Sequence, residues 1–239
     1  FKQKTAYEIR LSLVGSEMCI RDRRLQIKQQ FGTYVSPAQV EALQKDPSLL
    51  RLGGVTRQLT FLFSDIRGFT PISEFYQSDP QKLVALVNRF LTNQTNIILK
   101  HEGTIDKYMG DCIMAFWNAP LDVEDHARKA TAAALEMREA LEELNNALRN
   151  EGSPEINTGV GINTGPCVVG NMGSDSRFDY SVLGDAVNLA ARLESSCKEY
   201  NTDLIISEHS MVEGYTYEFI DEVTVKGKSE PVKIYTIQK

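Results

Sequence analysis

The chain has 239 residues, of which 42% are hydrophobic and 24% are charged, and its formal net charge is −6. This composition predicts one globular domain with a short extension, and no run approaches the roughly 18 to 20 continuous apolar residues of a membrane-spanning helix. Basic residues are neither abundant nor clustered, so the composition argues against a nucleic-acid partner.

The first 23 residues are set apart from the fold. Lys2–Glu8 and Leu13–Asp22 match the translations of two sequencing-library adaptors, separated by an interval of index length. We therefore expect residues 1–23 to be adaptor-derived and the native sequence to begin near Arg24. Residues 24–54 are expected to form a helical lead-in or linker to a lost upstream region, and residues 55–239 the main domain.

In chain order, the first half is predicted to hold a helix from Ser36-Pro37 to about Lys45, a break at Gly53-Gly54, a buried strand over Gln58–Asp65, a helix from Asp79-Pro80 through Lys100, and two short strands around a Met-Gly-Asp turn within residues 104–117. The helix starts are indicated by a capping side chain followed by proline. The strand is indicated by its aromatic and β-branched bias.

The second half is predicted to hold a long helix from Asp122 or Asp125 to near Asn150, a strand pair over Glu155–Asn163 and Pro166–Gly170, an alanine-rich helix from Gly184 to Tyr200, a strand over Asp203–Ser207, and a hairpin from Tyr217 to Ile237 that turns at Lys226-Gly227-Lys228. The order strand, helix, strand-strand, helix, strand predicts an α+β sandwich. One sheet would then be covered by helices on one face.

Two acidic residues follow strands at positions where they could meet. Asp65 ends an apolar strand, and Asp111 follows Gly110 at the tip of the next strand pair. Taken alone, either aspartate is better read as a turn residue. On adjacent central strands the two could converge on one hard cation, or on two in the arrangement used for phosphoryl transfer. The turn at Gly68 would then present backbone N–H groups to phosphate oxygens.

Four segments occur in order at suitable separations: FLFSDIRGFT, DKYMGDCIMAFW, GVGINTGPCVVGNMGS and YSVLGDAVNLAARLE. Together they resemble the catalytic domain of the class III adenylate and guanylate cyclases, over roughly Leu59 to Ile237. Residues 31–43 also resemble the lead-in found upstream of many bacterial members. The resemblance implies a ferredoxin-like βαββαβ sandwich with an antiparallel-rich sheet and helices on one face.

The resemblance implies that Asp65 and Asp111 hold two Mg²⁺ or Mn²⁺ ions per site. Ile66 would add a backbone carbonyl, and Phe69 and Thr70 would lie against the phosphates. The implied reaction converts ATP to cyclic AMP and pyrophosphate by in-line attack of the ribose 3′-oxygen on the α-phosphorus.

Asn188 and Arg192 match the family's transition-state pair, and their i, i+4 spacing places both on one face of a helix. Arg192 would brace the α-phosphate and Asn188 would orient the ribose; the alternative for Arg192 is a solvated helix charge. Lys226 matches a lysine that contacts the triphosphate. Lys228 could substitute for it, and an exposed hairpin-tip lysine is the alternative.

Two positions match those that read the base. Lys107 matches the lysine that donates to the adenine ring nitrogen, where guanylate cyclases typically carry an acid. Ser181 lies where relatives carry Asp or Thr, and its hydroxyl can accept from the adenine amino group. Whether Ser181 brings the bicarbonate response of the Thr-bearing subgroup is left open. Gly159 stands where some cyclases have arginine, so no phosphate-binding role is expected there.

The family's sites form between two subunits, so a symmetric homodimer with two equivalent sites and an inactive monomer is implied. The aspartates would come from one chain, and Lys107, Ser181, Asn188 and Arg192 from the other. A cytoplasmic catalytic domain is expected, with reduced thiols at Cys112, Cys167 and Cys197. Whether a missing upstream region anchors the full-length protein to a membrane is left open. The alternatives are a guanylate cyclase, a catalytically silent regulatory domain and a structural dimerisation module.

Overall fold

The computed structural model describes residues 37–46, 51–224 and 231–238. It divides into two units, residues 1–49 and 50–239. In the first unit, helix α1 spans Pro37–Lys45, which confirms the helix predicted there. An ion pair one turn apart, from Lys45 Nζ to Glu41 Oε1 at 2.8 Å, lies on its surface.

The described part of the second unit contains one mixed sheet, four α-helices and a short 3-10 helix, Glu208–Ser210. The helices are α2 Phe69–Phe75, α3 Pro80–Lys100, α4 His126–Asn150 and α5 Asp185–Ser196. The strands are β1 Gly53–Arg67, β2 Thr104–Met109, β3 Cys112–Trp117, β4 Asn157–Ser174, β5 Arg177–Leu183, β6 Leu204–Ser207, β7 Tyr217–Val223 and β8 Val232–Ile237. In the described residues, no helix combines the length and apolar character needed to cross a bilayer.

The sheet order is β2-β3-β1-β4-β6-β8-β7, with β5 paired to β4. The part β2-β3-β1-β4 joins antiparallel neighbours, and α3 and α4 make the crossovers, which is the ferredoxin-like βαββαβ arrangement. The predicted fold class is thereby confirmed. The one parallel pair that is described joins β4 to β6.

The two faces of the sheet bury different helices, because successive strand residues point to opposite sides. Leu62 of β1 packs in the core that also contains Phe90 of α3 and Leu144 of α4. Phe61 and Phe63 belong to the core on the other face, together with apolar residues of α5. The prediction of helices on one face therefore holds for α3 and α4, and is wrong for α5.

Two predicted chain breaks are wrong because the glycines serve close packing within strands. Gly53-Gly54 begins β1, where an added Cβ on Gly170 of β4 would lie 2.2 Å from the Gly53 carbonyl oxygen. The expected strand pair around residue 165 is one continuous strand, β4. There Gly165 makes room for α5, since an added Cβ would lie 2.7 Å from Ala186 Cβ. Glycine in a strand interior commonly marks such an approach.

The remaining predicted elements differ mainly in their ends. Helix α5 stops at Ser196 and continues as hydrogen-bonded turns, so it is shorter than predicted. The short helix α2 and strand β5 have no counterpart in the prediction. The strands of the C-terminal hairpin, β7 and β8, pair as predicted, and its expected turn at residues 226–228 lies outside the described residues.

Candidate active site

Asp65 and Asp111 are brought together at one end of the central strands. Ser64 of β1 lies opposite Ile113 of β3, so the end of strand β1 adjoins the β2–β3 turn that carries Asp111. Gly110 supplies the left-handed conformation of that turn, with a φ of 71°, which glycine adopts at little cost. The structure thus places the two predicted acids as neighbours.

The environment of Asp65 suits a cation. Burial raises the pKa of Asp65, and the negative charge of Asp111 raises it further, while the backbone N–H of Ile66 acts in the opposite direction. Asp65 Oδ1 is buried with no hydrogen-bond partner among the described residues. A buried polar atom without a partner is costly, and a divalent ion would satisfy it. Two carboxylates with substrate phosphates are a typical donor set for Mg²⁺.

Glu194 is a third acid near this pair, and sequence reasoning missed it. It lies on α5 directly over the sheet, where an added Cβ on Gly159 would be 2.8 Å from Glu194 Oε1. Burial, followed by the charge of Asp65, raises the pKa of Glu194 to about 7; hydrogen bonding from Ser195 opposes this. A side chain on Gly159 would press on the end of the Glu194 side chain, and the absence of a phosphate-binding role at this position stays a prediction.

The thiol nearest the acids is strongly held in its protonated form. Burial raises the pKa of Cys112 to about 12, and the charges of Asp65, Glu194 and Asp111 contribute. Burial also raises the pKa values of Cys167 and Cys197 to about 11. None of these three is in a disulfide, and their protonation makes them poor nucleophiles.

A cavity of about 850 Å³ adjoins the acidic end of β1. Its wall includes Asp65, Gly68 and Glu194, together with the basic side chains Arg67 and Lys198. Gly68 has a φ of 64° and connects the end of β1 directly to α2, three residues after Asp65. The predicted phosphate-side residues follow at once: Phe69 packs partly into the core and Thr70 is exposed.

Lys107 and Ser181 are brought together in a second cluster, through a residue that sequence reasoning missed. Ser181 Oγ donates a hydrogen bond to Asp106 Oδ2 at 2.8 Å. Lys107 Nζ lies 3.2 Å from Asp106 Oδ1. The two predicted base-reading side chains are therefore both anchored on one carboxylate. They lie 74 positions apart in sequence but in the same chain.

Asn188 and Arg192 lie on the outer side of α5. Both side chains are exposed, whereas Val187 and Ala190 on the same helix are buried against the sheet. Arg192 Nη1 contacts the carbonyl oxygen of Thr224 at 3.5 Å. Neither residue is hydrogen-bonded or ion-paired to Asp65 or Asp111 in the described part of the chain. Lys226 lies outside the described residues.

A family model described as "Adenylate and Guanylate cyclase catalytic domain" matches residues 55–239. Adenylate cyclase 1 of Rhizobium meliloti (strain 1021) is 35% identical over 184 residues, covering 76% of this chain and 27% of that protein. The adenylate cyclase of Anabaena cylindrica is 37% identical over 193 residues, covering 77% of this chain and 37% of that protein. The chain thus spans little more than a third, at most, of these two curated relatives.

Solved structures of both base specificities are similar to this chain. The adenylyl cyclase CyaB from P. aeruginosa superposes with a TM-score of 0.71 at 36% identity, covering 79% of this chain and 97% of that one. The guanylyl cyclase Cya2 superposes with a TM-score of 0.70 at 37% identity, covering 78% and 94%. Overall similarity therefore does not distinguish the base, which must be argued from individual side chains.

Proposed function

Because the chain belongs to the family of adenylate and guanylate cyclase catalytic domains, we propose that it converts ATP to 3′,5′-cyclic AMP and pyrophosphate in intracellular signalling. The observation that carries the proposal is the pair Asp65 and Asp111 at adjoining strand ends, with one buried carboxylate oxygen lacking a partner among the described residues. That arrangement supports a divalent-cation site rather than a structural turn.

Asp65 and Asp111 would hold two Mg²⁺ or Mn²⁺ ions, with the backbone carbonyl of Ile66 as an additional oxygen. When bound, such ions supply Lewis acidity that lowers the pKa of the ribose 3′-hydroxyl and neutralises charge on the triphosphate. In the reaction the bond from the 3′-oxygen to the α-phosphorus forms as the bond to the bridging α–β oxygen breaks. The hydroxyl proton leaves to solvent, and pyrophosphate departs.

The chain's other residues would position the nucleotide and stabilise developing charge. Phe69 and Thr70 follow the acidic strand end and would line the phosphates. Arg192 would donate to the α-phosphate oxygens, where negative charge grows, and Asn188 would orient the ribose. Lys226 would contact the triphosphate.

The active form is proposed to be a homodimer whose two sites are each shared between chains. Asn188 and Arg192 are exposed on the outer side of α5, without a bond to the described acids of their own chain. Exposed donors on one chain and an acid pair on another would complete each other across a two-fold axis. A separate monomer would then lack one half of every site.

Adenine is the proposed base. Lys107 can only donate, which suits the N1 acceptor of adenine and opposes the N1–H of guanine. Its side chain is partly exposed, with 44% accessible, so a ligand can reach it. Guanylate cyclase activity is the alternative, and the similarity to the guanylyl cyclase Cya2 supports it.

The test is a product assay with ATP and with GTP, each with Mg²⁺ and with Mn²⁺, over a range of protein concentrations. Cyclic AMP from ATP is expected, with specific activity rising with concentration as dimers form. Asp65→Ala should reduce turnover to background while leaving the circular dichroism spectrum unchanged. Cyclic GMP as the main product would favour the alternative, and no product from a folded dimer would indicate a silent regulatory domain.

A further inference from the structure

Asp106 is a buried carboxylate between the two side chains proposed to read the base. Only 1% of its side chain is exposed, although it lies on β2 at the edge of the sheet. Its Oδ2 accepts from Ser181 at 2.8 Å, and its Oδ1 is in ionic contact with Lys107 at 3.2 Å. Both of its described polar contacts therefore lead to these two residues.

A β-bulge allows the side chains of the consecutive residues Asp106 and Lys107 to contact each other. The pairing of β2 with β3 shifts between Ile105 and Lys107, so Asp106 is the extra residue with no partner across the ladder. In a regular strand, neighbouring side chains point to opposite faces. Bulges change the direction of a side chain and are frequent beside active sites. Here the bulge allows two consecutive residues to join in one ion pair.

Because Asp106 is buried, the loss of either contact would cost more free energy than it would at an exposed site. Desolvation raises the pKa of Asp106, and the hydrogen bond from Ser181 and the charge of Lys107 both lower it. A buried carboxylate is costly unless it is paired and hydrogen-bonded. The hydrogen bond from Ser181 to Oδ2 and the ion pair of Lys107 with Oδ1 offset part of this cost, and Oδ1 accepts no hydrogen bond among the described residues.

The direction of the Ser181 hydrogen bond has a chemical consequence. A serine hydroxyl has one proton to donate and two lone pairs to accept with. Because its proton is directed to Asp106, the oxygen of Ser181 offers a ligand only lone pairs. Adenine presents an amino group at position 6, which donates, whereas guanine presents a carbonyl oxygen there, which accepts.

We propose that Asp106 is a positioning residue that sets the choice of adenine over guanine, by committing the Ser181 hydroxyl to act as an acceptor and by holding the Lys107 ammonium beside it. The pair then offers one donor and one acceptor, a pattern that adenine matches and guanine does not. The proposal rests on the proposed function of the site. It adds to that function the residue that fixes the hydrogen-bonding pattern.

The decisive variant is Asp106→Asn, which keeps the side-chain shape but removes the charge and introduces a donor. With the amide N–H₂ group facing Ser181, the amide donates to the hydroxyl oxygen, and the hydroxyl proton can be donated to the guanine carbonyl. We expect kcat/KM for ATP divided by kcat/KM for GTP to fall roughly 10- to 100-fold, the range for loss of a charge-assisted hydrogen bond. A general loss of folding or dimerisation would lower both values together and leave their ratio unchanged. If Asp106→Asn does not fold, Asp106→Ala, which removes the buried charge altogether, is assessed by the same ratio.

Asp179→Asn is the matched control. Asp179 is an exposed carboxylate on the same strand as Ser181, and its charge acts on Asp106 without a described hydrogen bond to Ser181. Its removal should change the ratio less than twofold. An unchanged ratio in folded Asp106→Asn, or an equal change in Asp179→Asn, would overturn the proposal.

Competition binding of ATP and GTP, followed with a fluorescent nucleotide, separates this proposal from the proposed function. A wild-type protein that makes no cyclic nucleotide, yet binds ATP over GTP and loses that preference in Asp106→Asn, would contradict cyclase activity and support the role of Asp106. Wild-type synthesis of cyclic AMP, with an unchanged preference for ATP over GTP in Asp106→Asn, would support cyclase activity and contradict the role of Asp106. A folded wild-type protein that binds neither nucleotide would overturn both.

Discussion

The acidic side chains near the end of β1 repel one another, and Glu194 is affected strongly. Its pKa of about 7 in the folded protein is well above the ordinary value of 4.5, because burial and the charge of Asp65 both disfavour its ionised form. In the metal-free folded state Glu194 therefore keeps its proton over a pH range in which the unfolded chain has already released it.

This shift predicts a pH dependence of stability. As the pH rises from about 4.5 to about 7, the folded state binds more protons at this residue than the unfolded state, so its contribution to the free energy of unfolding falls. Glu194→Gln should remove this part of the decline. Thermal midpoints without divalent ions should thus drop less between about pH 5 and about pH 8 in the variant than in the wild type.

Glu213→Gln, at an exposed position in the same unit, is the control and should follow the wild-type pH profile. If Glu194→Gln and the wild type decline in parallel, the raised pKa of Glu194 has no thermodynamic consequence.

Sequence and structure differ in what they reveal about single residues. Asp65, Asp111, Lys107 and Ser181 could be selected from local motifs, and the structure brings each pair together; their roles stay predictions. Glu194 could not be paired with Asp65 from sequence, because their proximity depends on how closely α5 approaches the sheet. The contact of Asp106 with Lys107 could not be predicted, because strict alternation along a strand would point the two side chains to opposite faces and the β-bulge is not visible in the sequence.

At the scale of elements, the packing of α5 on β4 depends on glycine. An added Cβ on Gly161 would lie 2.2 Å from the Glu194 backbone nitrogen and 2.4 Å from the Ala190 carbonyl oxygen. These are backbone atoms of a helix, which cannot move aside as the end of a flexible side chain can. The glycine therefore sets the distance between α5 and the sheet.

Gly161→Ala is accordingly expected to lower the free energy of unfolding by about 1–3 kcal/mol, the usual cost of overpacking, and at the upper end because the clash is with backbone. Urea denaturation would measure it. Because α5 also carries Asn188 and Arg192, turnover should fall even where the protein remains folded.

Asn157→Ala, at an exposed position in the same strand, should change stability by less than about 0.5 kcal/mol. Equal stability of Gly161→Ala and Asn157→Ala would show that α5 can shift freely on the sheet.

The elements that the sequence predicted well are those with strong periodicity. The long helices α3 and α4 and the hairpin of β2 and β3 agree with prediction closely. The continuous strand β4 was missed because Thr164-Gly165-Pro166 has the composition of a turn. In the fold those residues pair with β1, and the glycine there provides clearance for Ala186. Local composition could not distinguish a turn from a helix-packing site.

At the scale of the whole molecule, the proposal of a shared site predicts that two inactive variants recover activity when they are mixed. A site formed within a single chain would not give this result. Asp111→Ala and Arg192→Ala should each be inactive, since each removes one half of every site in its own homodimer. In a mixed dimer one site has both defects, and the other site has neither. Equal mixing gives half mixed dimers with one intact site each, so about a quarter of wild-type activity should return.

A mixture of Asp111→Ala with Asp65→Ala is the control, because both changes affect the same half of the site and no arrangement restores it. Recovery in this control, or no recovery in the first mixture when native mass spectrometry shows mixed dimers, would contradict the shared site. The homodimer follows only from the family resemblance and stays a prediction, because a contact between two chains leaves no periodic signal in the sequence of one.

The pairing of β1 with β4 also has a consequence for folding during synthesis on the ribosome. These central strands pair along the whole of β1, although each residue of β1 meets a partner roughly 90 to 120 residues further along. At the usual rate of about 5–20 residues per second, the ribosome needs about 5 to 20 s to deliver the second strand after the first. During that interval the apolar segment around Leu59–Phe63 can pair only with β3, so its other edge is open to chaperones or to aggregation. Folding of this domain should therefore be completed only after β4 emerges, and a synthesis pause before that point should lower the yield of native protein.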